Sequence, residues 1–131
     1  MFGKMNFLVI SSEHIDEYGH VNYKSIAAIL EPFQNDFLES RCTTFKKIEL
    51  DYGLRSFVKK LEIVWFGQLR QGDRCHVSTE LKLGETSMTF GQTILRESDG
   101  ATLVTLGMVV VMVDKENKKA PIPTKLKEQL S

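Results

Sequence analysis

HIDEYGHVNYKSIAAILEPF, residues 14–33, changes its periodicity halfway along. The first half belongs to a polar loop, Ser11 to Val21, dense in ionisable groups: Glu13, His14, Asp16, Glu17 and His20. Beyond it Ile26, Ile29, Leu30, Phe33 and Phe37 recur at three- and four-residue spacing, one apolar stripe along a helix. Ala27 and Ala28 add small faces on which a sheet can approach closely. Asn22 stands where an N-cap belongs, because its side chain can accept an orphan N–H of the first turn. Pro32 removes one backbone bond inside the pattern, so a kink or local break is expected there.

Outward from this segment the chain changes to sheet. Upstream, Met5 to Ile10 is mostly apolar and reads as a first strand. Downstream, Thr43 to Asp51 reads as a second, short helix that Gly53 ends. Phe57 to Phe66 is rich in β-formers, and Gln71-Gly72-Asp73 is a turn. Cys75, Val77, Thr79, Leu81 and Leu83 alternate with His76, Ser78, Glu80 and Lys82, so one face is buried and one is wet. Gly84-Glu85 connects tightly to Ser87–Arg96, and Asp99-Gly100 is a hairpin dipeptide. Thr102 to Val113 is apolar on both faces, as a central strand is. Pro121 and Pro123 stop the sheet, and Thr124 to Leu130 reads as a terminal helix. One long apolar helix against one antiparallel sheet is an α+β arrangement, here read as a single domain over residues 1–131. Five strands and one long helix leave the outer sheet face open. Val58, Val64 and Phe66 alternate in phase with Lys60 and Glu62, and such a mixed face points to pairing with another copy.

Composition narrows the class. Lys plus Arg and Asp plus Glu both number 17, so the chain lacks the excess positive charge on which nucleic-acid binding rests. The longest apolar stretch, Leu106 to Val113, is too short to span a bilayer, and no signal peptide is read in residues 1–10. Cys42 and Cys75 form neither a disulfide framework nor a metal pattern, which fits buried or half-buried thiols in a reducing cytoplasm. The expectation is a cytoplasmic protein with no nucleic-acid or membrane partner.

The loop Asp16-Glu17-Tyr18-Gly19-His20-Val21-Asn22 carries the chemistry. A helix N-terminus offers free N–H donors and the positive end of the dipole, where charge developing on a substrate oxygen is stabilised. A carboxylate beside it can attack a carbonyl or activate water. Gly19 lets the backbone turn tightly and leaves room for a ligand. Polar loops before capped helices are common, so on this ground alone a purely structural loop stays open.

The segment resembles the signature of the 4-hydroxybenzoyl-CoA thioesterase family, in which Asp-x-x-Gly-His-Val-Asn precedes the central helix of a hotdog fold. VKKLEIVWFGQLRQGDRCHVSTELKLGETSMTFGQTIL, residues 58–95, is similar to that family's strand and turn rhythm, as is Val109 to Asp114 followed by Pro121 and Pro123. The resemblance implies a five-stranded antiparallel sheet wrapped around one long helix, acting on acyl-CoA as a homodimer or homotetramer. It implies Asp16 as nucleophile or general base and the backbone N–H of Tyr23 as the donor that polarises the thioester carbonyl. His20, with Asp16, matches the Asp and His of the similar loop in acyl-carrier-protein thioesterases. Gly19, Val21 and Asn22 line the substrate side of the loop. No metal or redox cofactor is implied. Tyr18 stands where the carrier-protein enzymes have Asn, Tyr23 where a second Asn is common, and Ile26 where an aromatic is common. Pro32 in the central helix is also unusual.

Other residues are weaker candidates. Glu31 lies on the central helix, where another hotdog branch places a catalytic Glu. His14, Asp16 and His20 lack a metal-site pattern. Lys59, Lys60, Arg70 and Arg96 are candidates for the CoA phosphates, His76 reads as solvated, and Trp65 as core or interface. The competing reading is a hotdog module that binds acyl-CoA or an acyl carrier without hydrolysing it, since fold does not fix function. A dehydratase would need an Asp/His pair elsewhere.

Overall fold

The computed structural model describes residues 2–131. β1 (Phe2–Val9) leads through a loop into α1 (Tyr23–Ser40) and α2 (Phe45–Tyr52). Then follow β2 (Arg55–Trp65), β3 (Arg74–Leu83), β4 (Ser87–Arg96), β5 (Thr102–Val113) and α3 (Thr124–Leu130). The strands lie in the order β1-β3-β4-β5-β2 and every pairing is antiparallel. With α1 laid on one face, this is the α+β hotdog arrangement that the sequence predicts. β5 is an interior strand, as expected, and β1 and β2 are the edges.

α1 buries Ile26, Ile29, Leu30, Gln34, Phe37 and Leu38. Its N-terminal half packs with Val21 on Leu8, Ile10, Cys75, Val77, Ile94, Val104 and Leu106. Phe37 and Leu38 pack with Ile48, Leu81, Met88, Phe90, Val110 and Met112, closed below by Ile122, Leu126 and Leu130. Between the two clusters lies a buried polar seam: Gln34 Nε2 donates to Gln92 Oε1 at 2.8 Å, and Gln92 Nε2 donates to Leu30 O and Thr79 Oγ1, both at 3.1 Å.

Three local expectations change. α1 runs unbroken through Pro32. The carbonyl that Pro32 orphans belongs to Ala28, and both residues are exposed, so that carbonyl stays open to solvent and the helix need not break. In the polar loop, Ser12–His14 forms a short 3-10 turn that no periodicity announced. His14 is consumed there, its Nδ1 accepting from Ser11 N at 3.0 Å. The mixed face assigned to β2 is also corrected. Register slips between Val58 and Lys60, so Lys59 is an extra, bulged residue and the alternation inverts across it. Ser56, Val58, Leu61, Ile63 and Trp65 pair with the core-facing row of β5, whereas Phe57, Lys60, Glu62 and Val64 pair with its outer row. Even so, neither face of β2 is covered: Phe57 is 65 % and Val58 51 % exposed, and Leu61, Trp65 and Phe66 are exposed as well.

Candidate active site

Two local devices shape the loop before α1. Gly19 takes the left-handed conformation (φ 76°), which a Cβ would strain, and a side chain there would meet nothing within 4 Å. The glycine is therefore needed for the turn and not for lack of space. Val21 is 5 % exposed and belongs to the core, so it pins the loop to the sheet from below. Asn22 is the N-cap, extended at φ −90° and ψ 176°, with Oδ1 accepting from Ser25 N at 3.1 Å. Ile26 N, donating to Asn22 O, is the first donor of the helix with a main-chain acceptor. The N–H groups of Tyr23 and Lys24 have no partner among the described residues, as the first donors of a helix should not. The Tyr23 side chain is exposed.

Asp16 is held at one oxygen and left open at the other. Its Oδ1 accepts from Tyr18 N at 2.9 Å and from His20 N at 3.0 Å. Its Oδ2 has only a long contact of 3.5 Å with Asn22 Nδ2. The His20 N–H holds the carboxyl below the ordinary carboxylate range; partial desolvation opposes this, and Tyr18 N–H, Asn22 and the His20 charge add to the lowering. Asp16 is thus an ionised group whose unanchored oxygen lies beside the N-cap of α1. His20 touches it through the backbone and not the ring. His20 borders a cavity of about 290 Å³ together with Val21, Trp65, Gln68 and Leu69. Trp65 accordingly stands at an open edge on that cavity and not in the core.

The same turn occurs a second time. Asp114 Oδ1 accepts from Glu116 N at 2.8 Å and Lys118 N at 3.0 Å, Asn117 takes the left-handed role at φ 61°, and Asp114 is likewise lowered. There it only closes a strand end. The turn alone therefore makes no site, and what sets Asp16 apart is the helix N-terminus beside it.

The remaining candidates scatter. Glu31 is exposed on α1, at a second cavity of about 300 Å³ formed with Gln34, Asn35, Phe45, Ser56, Val58, Met108 and Val110. Arg96 pairs with Asp99 at 2.9 Å, and Arg70 leans on Gln68 at 3.3 Å, while Lys59 and Lys60 make no ion pair among the described residues. His76 is half-buried, edge-on to Phe7 at 5.8 Å, and not freely solvated. Cys75 is buried but Cys42 is exposed. Among the described residues no three His, Cys, Asp or Glu side chains group as a metal would require, and no helix is long and apolar enough to cross a membrane. Gln34 and Gln92 were missed. Each is a polar residue in phase with an apolar pattern, on the α1 stripe and on the Met88, Phe90, Ile94 face of β4, and that phase was the available signal.

An antiparallel five-stranded sheet packed on one long capped helix is the fold of a hotdog domain. Residues 10–130 match the thioesterase-like superfamily. The chain belongs to that superfamily and is a thioester hydrolase by class. No curated protein matches it in sequence. Among solved structures it is similar to the Synechocystis 1,4-dihydroxy-2-naphthoyl-CoA thioesterase Slr0204, with a TM-score of 0.87 at 16 % identity over 98 % of this chain and 96 % of that one. It is similar to YbaW, a probable thioesterase from Escherichia coli, with a TM-score of 0.82 at 22 % identity over 96 % and 95 % of the two chains. SAV2348 from Staphylococcus aureus, solved in complex with CoA, has a TM-score of 0.82 at 18 % identity over 96 % of this chain and 80 % of that one. At these identities the likeness concerns the fold.

Proposed function

We propose that the chain hydrolyses acyl-CoA thioesters at the Asp16 loop. The observation that carries this reading is the asymmetry of the carboxylate, with Oδ1 tied to two N–H groups and Oδ2 left beside a helix start whose Tyr23 N–H has no partner. The thioester carbonyl oxygen would accept from Tyr23 N–H while Oδ2 acts at the carbonyl carbon. A carboxylate of lowered pKa is a weak base but is ionised throughout the working range, which favours nucleophilic attack over activation of water. The acyl–sulfur bond then breaks, CoA leaves as the thiolate and takes a proton from solvent, and water hydrolyses the acyl–Asp16 anhydride. His20, Gly19, Val21 and Asn22 shape the surround, and Arg70, which follows the cavity-lining Leu69 and bonds Gln68, would meet a CoA phosphate. The exposed Cys42 thiol suits a reducing cytoplasm.

The second turn at Asp114 favours one other reading, in which Asp16 only shapes a site that binds acyl-CoA or an acyl carrier. A panel of acyl-CoA esters of differing length and aromaticity, assayed for free thiol, separates the two. Thiol release well above the buffer rate is expected, and tight binding without release would establish the binding module.

The working unit in this reading is at least a homodimer paired through β2. An edge strand of 11 residues, exposed along nearly its whole length and apolar at Val58, Leu61, Ile63 and Trp65 on one face, is a template for another strand. Antiparallel pairing about a two-fold axis through the middle of β2 sets the Val58 end of one copy beside the Trp65 end of the other. The Gln34 cavity, bordered by Val58, then adjoins the partner's His20 cavity, bordered by Trp65. Within one chain the two are far apart, since 12 residues of helix separate Asn22 from Gln34, about 18 Å. Light scattering at micromolar concentration is expected to give at least twice the chain mass, and a stable monomer of 14.9 kDa would overturn the pairing.

A further inference from the structure

We infer that the sheet face turned away from α1 is an interface with a second copy of this chain, held in register by Glu62 against the partner's Lys60 and Glu80 against the partner's Lys82. Two glycines draw attention to this face. Gly91 and Gly107 pair with each other in the middle of β4 and β5. Glycine weakens a strand and is kept at bulges, at bends or where another backbone comes close. Here the pairing is regular, neither residue takes a positive φ, and a Cβ at either would meet nothing within 4 Å. The remaining causes are a bend and a neighbour from outside the chain, and the charges around the glycines decide for the neighbour. Both glycines line a hollow of about 290 Å³ with Glu62 and Glu80 on its flanks. The row Glu80-Gly91-Gly107-Glu62 crosses β3, β4, β5 and β2, and the next row along the strands is Lys82-Thr89-Val109-Lys60. All four charged residues are exposed, and none has an ion-pair partner among the described residues. A second sheet can lie face to face about a two-fold axis that runs across the strands, midway between the two rows. Each row then sits on the other row of the partner. Glu62 faces the partner's Lys60, Glu80 faces the partner's Lys82, and the glycines receive the partner's Thr89 and Val109. One row further out, the exposed Val64 meets the partner's exposed Phe57. Sheets packed face to face lie ~10 Å apart, a gap that a Glu and a Lys side chain together span. Neighbouring settings of the axis fail. An axis on either row opposes like charges, and an axis along the strands between β4 and β5 sets Glu62 on the partner's Glu80 and Lys60 on the partner's Lys82. The favoured axis crosses β2 at Leu61, next to that strand's mid-point at Lys60. It therefore meets the two-fold proposed for pairing through β2, as the axes of a closed four-chain assembly must.

The interface does not depend on the acyl-CoA reading, and its test is mass in solution. Light scattering of the native protein at micromolar concentration is expected to give four times the chain mass of 14.9 kDa. Glu80→Lys should halve that mass, because it sets two cations against each other at both symmetry-related contacts. Lys82→Glu alone sets two anions against each other and should do the same. The double variant, Glu80→Lys with Lys82→Glu, restores opposite charges and should restore the native mass, which a merely damaged fold would not do. Gly91→Val fills the hollow and should also halve the mass, with the native circular dichroism retained. A native dimer that Glu80→Lys splits into single chains supports this interface and overturns the pairing through β2. A native mass unmoved by both single reversals, or a loss that the double variant does not restore, overturns the inference.

Discussion

Asp16→Asn is expected to lower turnover by ~10²-fold or more, the range for losing a positioned base or nucleophile, and to leave the fold intact. The fold should survive because an Asn oxygen can take over the Tyr18 and His20 N–H bonds that Oδ1 now accepts, and Asn is at home in such turns. What disappears is the free Oδ2, replaced by an NH₂ group that cannot attack a carbonyl. Asp114→Asn, in the second copy of the turn, is the matched comparison: it should shift thermal stability about as much and leave turnover alone. The native rate should hold flat on acidification through the usual carboxylate range, because the hydrogen bonds to Asp16 keep its active, ionised form populated below that range. The group's contribution to stability follows the same direction, present above the ordinary unfolded value and lost as pH falls through the lowered folded one. A folded Asp16→Asn protein with native turnover would remove Asp16 from the mechanism.

At Tyr23 the expected loss is of similar size but comes from the main chain. One oxyanion donor is typically worth ~3–4 kcal/mol, or ~10²–10³ in turnover. Tyr23→Pro removes the unpaired N–H at the first helical position, where proline is well tolerated. Asn22 before it is already extended, at φ −90° and ψ 176°, the conformation that a residue preceding proline prefers. The variant should therefore fold and lose most activity. Tyr23→Phe removes only the hydroxyl of an exposed side chain and should stay within a few-fold of native. An active proline variant, or a dead phenylalanine variant, would move the oxyanion donor elsewhere.

Much of this architecture could be read from the chain because period and punctuation agree. The Ile26–Phe37 stripe, the Asn22 cap and Gly53, which ends α2 at φ 68°, all fell where local physics places them. What could not be read was set by partners distant in sequence. The bulge at Lys59 exists only as a mismatch with β5, and without it Val58 is assigned to the wrong face. The order of strands, which sends β2 to an edge, is a matter of tertiary pairing that no local pattern states. The loop itself was legible as a turn. That Asp16 spends one oxygen on the turn, and that His20 meets it through N–H and not through its ring, depends on hydrogen-bond directions that residue types do not specify.

The amide seam has one more consequence, for where α1 can sit along the sheet. A helix held only by an apolar stripe can shift by a turn, ~5.4 Å, and still find hydrocarbon beneath it. Here such a slip would bury Gln34 without its partner and leave Gln92 with Thr79 alone, at a cost of about 1–3 kcal/mol for each stranded group. The seam thus gives the helix one address, indexed to Gln92 in mid-sheet. Because Tyr23 lies a fixed number of turns from Gln34, the N–H proposed as oxyanion donor is positioned by an amide pair about 16 Å away from it.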